Sequence, residues 1–544
     1  MRAGAARRTV RAMTFALAQP AAAHLDRYRE RGFYRDRTIA DLARDRAMAE
    51  PDACVFLGDP GWSIARVVAD AEALHAALAG LGVEPGEVVA FQTPNWPEAA
   101  VIDLACALGG FVIAPIVIIY RDAEVAQMLT DSRARVFFVA HTFRGHDFSA
   151  MVARLRPALP HLAHVAFVRA EAADGYEAMI AAGGRIDAPR VDPDAVKLLL
   201  YTSGTTGRPK GVLHSHNTLA RVTDQAVARW GIRRGDPVLM PSPVTHISGF
   251  SNGLELPFLG GTQTVLMEAW NAEAALALIV EHGVAGTVAA TPFLAELAAV
   301  ARARGERLPS LRFFACGGAA VAPDLVRQAN AAFARPCAFR VFGSSEVPLV
   351  TLGFQGLADA ELAATTDGAI VDYEVLLIDE AGGQVADLQE GEILARGPSM
   401  LLGYADTVQT AEAIGSDGYF RTGDLGRITR DGALTITGRV KDLIIRGGEN
   451  ISAKEIEDVL AAHPCVAQVA VVAMPHARLG EGVCAFVVAR GETPAVAVLA
   501  DFVGASGLAR QKIPERFMFV DALPMTASGK VRKDRLREAA RAAA

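Results

Sequence analysis

Cysteine is scarce in this chain and poorly placed for cross-linking. The six cysteines, Cys54, Cys106, Cys316, Cys337, Cys465 and Cys484, lie far apart with no C-x-x-C spacing. That excludes a disulfide framework or a cysteine zinc site as the organising device, and it fits a reducing cytoplasm. An excess of positive charge is lacking too: 54 Lys and Arg stand against 61 Asp and Glu, a formal net charge of -7. A nucleic-acid binder is therefore not expected. The scattered arginines between Arg510 and Arg541 read as the solvated face of a terminal helix. No apolar run is clean enough for a transmembrane segment. Ala99 to Ile119 has the length but contains Asp103, Gly109, Gly110 and Pro115, so it reads as a buried helix followed by a buried strand. Met1 to Ala23 carries arginines and a short apolar run broken at Gln19 and Pro20, and reads as a disordered tail rather than a signal peptide.

What is present is an ordinary globular composition, 51% hydrophobic and 21% charged over 544 residues. Single cores stop growing near roughly 250–300 residues, so two or more domains are expected. Apolar residues recur at helical spacing over residues 38–49 and 63–81. Strands at residues 87–92 and 111–119 flank a helix opened by Pro97, a βαβ unit that implies a parallel sheet. Residues 135–140 and 164–169 repeat the idea. The fold class is α/β, with doubly wound sheets in a large N-terminal part. A smaller α+β part follows, with a helix at residues 453–463, strands at 466–472 and 484–489, and a helix at 495–504.

One stretch dominates the chemistry. Tyr201 to Val212 reads Tyr-Thr-Ser-Gly-Thr-Thr-Gly-Arg-Pro-Lys-Gly-Val. The hydroxyls of Ser203, Thr205 and Thr206 alternate with Gly204, Gly207 and Gly211, and Lys210 adds a positive charge. Glycine lets the backbone approach closely and adopt positive φ, and consecutive amides form an anion-binding concavity, most simply for a polyphosphate. The apolar run at residues 198–201 reads as a strand, and a strand followed by a glycine-rich loop is where α/β folds place ligands. It is not a Walker A loop, because Arg208 and Pro209 separate Gly207 from Lys210.

This segment resembles the phosphate loop of the adenylate-forming, AMP-binding superfamily, which includes acyl-CoA synthetases, 4-coumarate-CoA ligases, luciferases and the adenylation domains of peptide synthetases. Further segments resemble the family in matching order. Pro241 to Gly249 places His246 where the family walls its carboxylate pocket. Gly317-Gly318-Ala319 after a strand would let adenine lie against backbone. Val341-Phe342-Gly343-Ser344-Ser345-Glu346 is similar to the aromatic-Gly-x-Thr-Glu segment, with Ser345 keeping the hydroxyl of the usual threonine. Glu346 is a hard oxygen ligand suited to Mg²⁺ on phosphate oxygens. The resemblance puts Asp424, read as following a strand, on the ribose hydroxyls and Arg439 on the nucleotide. Lys441 stands at the inter-domain hinge, Gly447 and Gly448 on the path of the pantetheine arm, and Lys530 in the place of the lysine that swings into the active site. Asp367 to Tyr373 departs from the Gly-x-Pro-x-Pro-Gly pattern of many relatives, which bears on the shape of a nearby loop.

The resemblance implies a tail at residues 1–25, an N-terminal adenylation domain at 26–440 and a C-terminal lid domain at 441–544. It implies an ATP-dependent acid–thiol ligase using ATP, Mg²⁺ and CoA, with Lys530, Glu346, Thr206 and His246 as catalytic residues. Thr202 to Gly207, Lys210, Gly317, Gly318, Ala319, Phe342, Gly343, Ser345, Asp424, Arg439 and Lys530 would bind the nucleotide. His246, Ser248, Asn252, Val341, Leu349 and Val350 would line the acid pocket. That set is mostly apolar, and no aspartate between residues 243 and 250 is present to pair with an ammonium group. The expected substrate is an uncharged medium-sized acid, medium-chain, alicyclic or aryl. Residues 31–36 and 142–147 are similar to bacterial cyclohexanecarboxylate-CoA ligases and short- to medium-chain acyl-CoA synthetases. Transfer to a carrier-protein thiol and a luciferase-like oxygenase stay open as alternatives. A homodimer is compatible with the sequence, which does not encode the oligomeric state.

Overall fold

The computed structural model describes Phe15 and residues 19–58, 61–170, 175–202, 209–319, 321–447, 449–526 and 530–543. The chain forms two compact units, Met1–Ala269 with Pro398–Gly418, and Trp270–Gly397 with Tyr419–Ala544. Most of the expected N-terminal tail lies outside the described residues, and the chain is helical over Gln19–Glu30.

The first unit is built on a seven-stranded sheet in the order Gly403–Tyr404, Lys210–Ser215, Val196–Thr202, Val112–Pro115, Val88–Gln92, Val136–Ala140, His164–Val168. The last five run parallel, with Val88 opposite Val112, Val89 opposite Val136 and Ile113 opposite Leu198. Strands covered on both faces are expected to be apolar throughout rather than alternating. Val-Val-Ala-Phe-Gln and Val-Phe-Phe-Val-Ala are buried at every position. Helix Glu98–Gly109 is likewise buried along its whole length and stops at Gly110, whose φ of 66° is the left-handed cap that glycine adopts without strain. The apolar run from Ala99 is thus a helix and a strand, and no described helix is long and apolar enough to cross a membrane. The strand is shorter than expected and ends at Pro115, since proline has no N–H to continue a ladder.

The second unit holds three parallel strands, Gly286–Ala289, Phe313–Cys316 and Ala338–Arg340, and an antiparallel sheet of Glu374–Ile378, Gly391–Arg396, Phe420–Ile428 and Leu434–Arg439. The segment that departs from the family pattern pairs Ala369–Ile370 with Thr351–Leu352. From Leu443 onward the chain forms its own five-stranded sheet. One of its cores gathers Ile444, Ile456, Val471 and Leu499, and another gathers Val472, Phe486, Leu536 and Ala540.

Candidate active site

Two groups of the expected site residues belong to the first unit. Thr202 and Lys210 face each other at the end of an antiparallel hairpin, Val196–Thr202 against Lys210–Ser215. The phosphate loop therefore joins two adjacent strands, and its closure brings the Thr202 hydroxyl 3.5 Å from the Lys210 carbonyl. Lys210 Nζ stands 5.0 Å from the centroid of the Tyr404 ring. Gly211 suits the crowding here, since a Cβ would fall 2.7 Å from the end of the Leu199 side chain. Ser203, Gly204, Thr205, Thr206 and Gly207 lie outside the described residues.

His246, Ser248 and Asn252 form one hydrogen-bonded group. His246 Nδ1 is 3.2 Å from Ser248 Oγ, and Asn252 Nδ2 donates to the Ser248 carbonyl at 2.9 Å. His246 precedes the helical turn Ile247–Gly249, and Asn252 sits in the π-helical segment Phe250–Glu255. π-turns widen a helix by one residue and recur at functional sites. Asn95, which no sequence signal marked, holds the approach to this turn. Its amide donates to the carbonyls of Ser242 and Met267, each at 2.9 Å, and accepts from Val244 N–H at 2.9 Å.

The other expected residues belong to the second unit. Gly317 and Gly318 follow strand Phe313–Cys316. A Cβ on Gly317 would lie 2.6 Å from the Val341 carbonyl, and Gly318 has a φ of +80°, so both positions exclude larger residues. Ala319 continues that turn. Phe342 N–H donates to Thr351 Oγ1 at 2.9 Å, Thr351 N–H donates to the Phe342 carbonyl at 3.1 Å, and the loop carrying Gly343, Ser345 and Glu346 is tied off between them. Inside it Ser344 Oγ accepts from Glu346 N–H at 3.2 Å. Leu349 has a φ of 48°, a strained conformation for a side chain of this kind and one that clusters at ligand sites. Val341 and Val350 are buried on either side of the loop.

Lys530 joins these pieces. It lies on a turn closed by the Met525–Val531 bridge, its N–H donating to Thr526 Oγ1 at 3.0 Å. Its Cε is 3.7 Å from the place a Cβ would take on Gly318. Burial pushes its ammonium below the ordinary lysine range, Arg439 adds to that, and Asp424 and Glu346 oppose it. The amine thus feels the charges of two carboxylates and a guanidinium. Asp424 lies inside strand Phe420–Ile428 rather than after it. Burial raises its carboxyl, which the neighbouring Arg439 counters. Lys441 sits in a 3₁₀ turn, Val440–Asp442, with its carbonyl accepting from Arg537 at 3.3 Å. Gly447 has a φ of 61° and its N–H donates to the Leu479 carbonyl at 2.8 Å, while Gly448 lies outside the described residues.

Residues 43–405 match the AMP-binding enzyme family, and residues 455–530 match the AMP-binding enzyme C-terminal domain. The medium-chain fatty-acid–CoA ligase of Escherichia coli is 33% identical over 523 residues, covering 94% of this chain and 92% of that protein. A salicyl-AMP ligase / salicyl-S-ArCP synthetase of Mycobacterium tuberculosis is 33% identical over 530 residues, 93% of this chain and 91% of its own. Among solved structures, ATP-bound MatB from Rhodopseudomonas palustris has a TM-score of 0.83 at 26% identity, covering 92% of this chain and 99% of that one. With both family segments matched in order and the mixed α/β architecture shared, the chain belongs to the AMP-binding enzyme family.

Proposed function

We propose that this protein is an ATP-dependent carboxylic acid–CoA ligase that activates an uncharged, medium-sized acid as its acyl-adenylate and passes the acyl group to CoA. The reading is carried by the setting of Lys530, whose side chain borders Gly318 at Cε and whose amine feels Asp424, Glu346 and Arg439 together. A carboxylate is a poor electrophile and ATP is an anion, so the first task is to let them meet. Lys530 and Lys210 offset that repulsion, and amides and hydroxyls from Thr202 to Gly207 receive the departing pyrophosphate. A carboxylate oxygen attacks the α-phosphorus, the bond to the β-phosphate oxygen breaks, and acyl-AMP and pyrophosphate result. Positioning and electrostatics supply most of the acceleration.

Mg²⁺ takes one or two protein carboxylates and completes its shell with phosphate oxygens and water. Glu346, partly exposed on the loop where its N–H donates to Ser344 Oγ, would supply one such carboxylate. When bound, the ion neutralises phosphate charge.

In the second half-reaction the thiolate attacks the acyl carbonyl and AMP leaves. Lys441 is the hinge between residues 26–440 and 441–544, and Gly447 with Gly448 gives passage to the pantetheine arm. A medium-sized acid is supported by the low charge of the positions the resemblance assigns to the acid, His246, Ser248 and Asn252 in the first unit and Val341, Leu349 and Val350 in the second, and by the Escherichia coli relative. A cytoplasmic setting is supported by six free cysteines. The carrier-protein alternative is favoured by one observation, the salicyl-S-ArCP synthetase among the relatives.

The test is AMP release by the purified protein with ATP and Mg²⁺ over straight-chain, alicyclic, aryl and amino acids, with and without CoA. Release that depends on one acid class and on CoA supports the ligase. Adenylation that CoA does not accelerate moves the acceptor to a carrier protein, and no turnover with any acid refutes the reading.

A further inference from the structure

The π-helical segment that carries Asn252 ends in a residue of a cluster of ionisable side chains fully out of solvent. The side chains of Lys197, Asp103 and Glu255 are 0%, 1% and 2% exposed. Lys197 Nζ donates to Asp103 Oδ1 at 2.8 Å and Oδ2 at 3.1 Å, and to Glu255 Oε1. The same ammonium stands 4.8 Å from the centroid of the Phe250 ring. Phe250 and Glu255 are the first and last residues of the π-helical segment, so one lysine grips both of its ends.

Burial raises both carboxyls, that of Glu255 to about 7, while Lys197 opposes the rise, and well-packed apolar residues would serve stability as well as or better than so costly a cluster. What an ion cluster supplies that apolar residues do not is register. A π-turn differs from an α-turn by one residue, and slipping between them would turn Asn252 away from the Ser248 carbonyl it bonds at 2.9 Å. Local packing is already tight, since a Cβ on Gly253 would fall 2.7 Å from Met240 and Thr264 Oγ1 donates to the Gly253 carbonyl at 3.1 Å. Lys197 also lies on strand Val196–Thr202, whose far end enters the phosphate loop.

We infer that the Lys197–Asp103–Glu255 cluster is a positioning device that holds the Phe250–Glu255 turn in register and, through Asn252 and Ser248, sets which acids the enzyme accepts. This rests on the proposed role of His246, Ser248 and Asn252 as pocket residues. Glu255→Asp draws one end of the turn in by a methylene, Phe250→Leu releases the other, and Glu255→Gln keeps both length and an acceptor for Lys197. The measurement is the KM for a series of straight-chain acids and for ATP, with Asn252→Leu in parallel. Glu255→Asp and Phe250→Leu are expected to raise the acid KM about tenfold and change the preferred chain length while the ATP KM stays within about twofold, and Glu255→Gln to remain near the parent. Phe250→Leu carries the decision should Glu255→Asp fail to fold. A lowered Tm with acid preference unchanged in both, while Asn252→Leu does change it, overturns the inference alone. No change in any variant, Asn252→Leu included, overturns the pocket assignment as well.

Discussion

Asp424 and Arg439 are directly opposite each other across two antiparallel strands, and Arg439 Nε donates to Asp424 Oδ1 at 2.6 Å. Two residues that the family resemblance assigns separately to the nucleotide are therefore one unit, with Asp424 buried and Arg439 reaching toward solvent. Asp424→Asn keeps an acceptor oxygen but removes the charge, so the guanidinium loses this ion pair. A loss of about 2 kcal/mol in ATP binding, roughly thirtyfold in KM for ATP, is expected. Because the pair acts jointly, Asp424→Asn combined with Arg439→Gln should lose less than the sum of the two single changes. Strict additivity in that cycle would show that the two side chains contribute independently.

Lys530 makes a prediction about pH. Its ammonium is held below the ordinary lysine range, and only the protonated form offsets the charge of carboxylate and α-phosphate. Adenylation should therefore decline on the alkaline side, and the decline should begin at a lower pH than an ordinary lysine would give. Lys530→Ala should lower the acid-dependent exchange of pyrophosphate into ATP by at least about a hundredfold. A pH profile of that exchange with no early alkaline limb would contradict the assignment.

For Lys441 the two half-reactions separate. Its carbonyl accepts from Arg537, and Asp442 beside it is paired with Arg537 as well. Lys441→Pro stiffens φ at the proposed hinge. Acyl-AMP formation should persist within a few-fold, and thioester formation from pre-formed acyl-AMP and CoA should be lost. Equal loss of both steps, followed by rapid quench, would remove the hinge role.

Stability is expected to depend on Arg340. This buried arginine makes a double contact with Asp367, at 3.0 and 2.6 Å, and donates to the Ala364 carbonyl at 3.1 Å. Asp367 in turn accepts from Ile436 N–H at 2.8 Å. Arg340→Met strands the buried carboxylate and should cost about 3–5 kcal/mol. Adding Asp367→Asn should recover part of the loss in thermal unfolding, since the neutral amide is cheaper to bury than an unpaired charge.

Much of the secondary structure was legible because its signals are local. Thr38 and Ser63 cap the helices Ile39–Ala49 and Ile64–Gly80, close to the limits read from apolar spacing, and short runs that are apolar but for Gln92 marked the central strands. Gly318 and Gly447 were visible for the same reason, since a positive φ at the spot favours glycine. The hairpin form of the phosphate-loop strands was not legible, because antiparallel pairing is decided by which strand lies next in the sheet.

By itself the sequence determined the α/β class and singled out Lys530, Glu346 and the Thr202–Lys210 segment as candidates. Only the tertiary structure decided what surrounds them. Lys197 meets Asp103 from 94 residues away and Glu255 from 58, Asn95 reaches the Ser242 carbonyl across 147 residues, and the Lys530 side chain comes to rest beside Gly318. Periodicity, caps and turns are fixed by neighbours a few bonds away, whereas the partner of a buried charge is fixed by the packing of distant segments, which leaves no pattern along the chain.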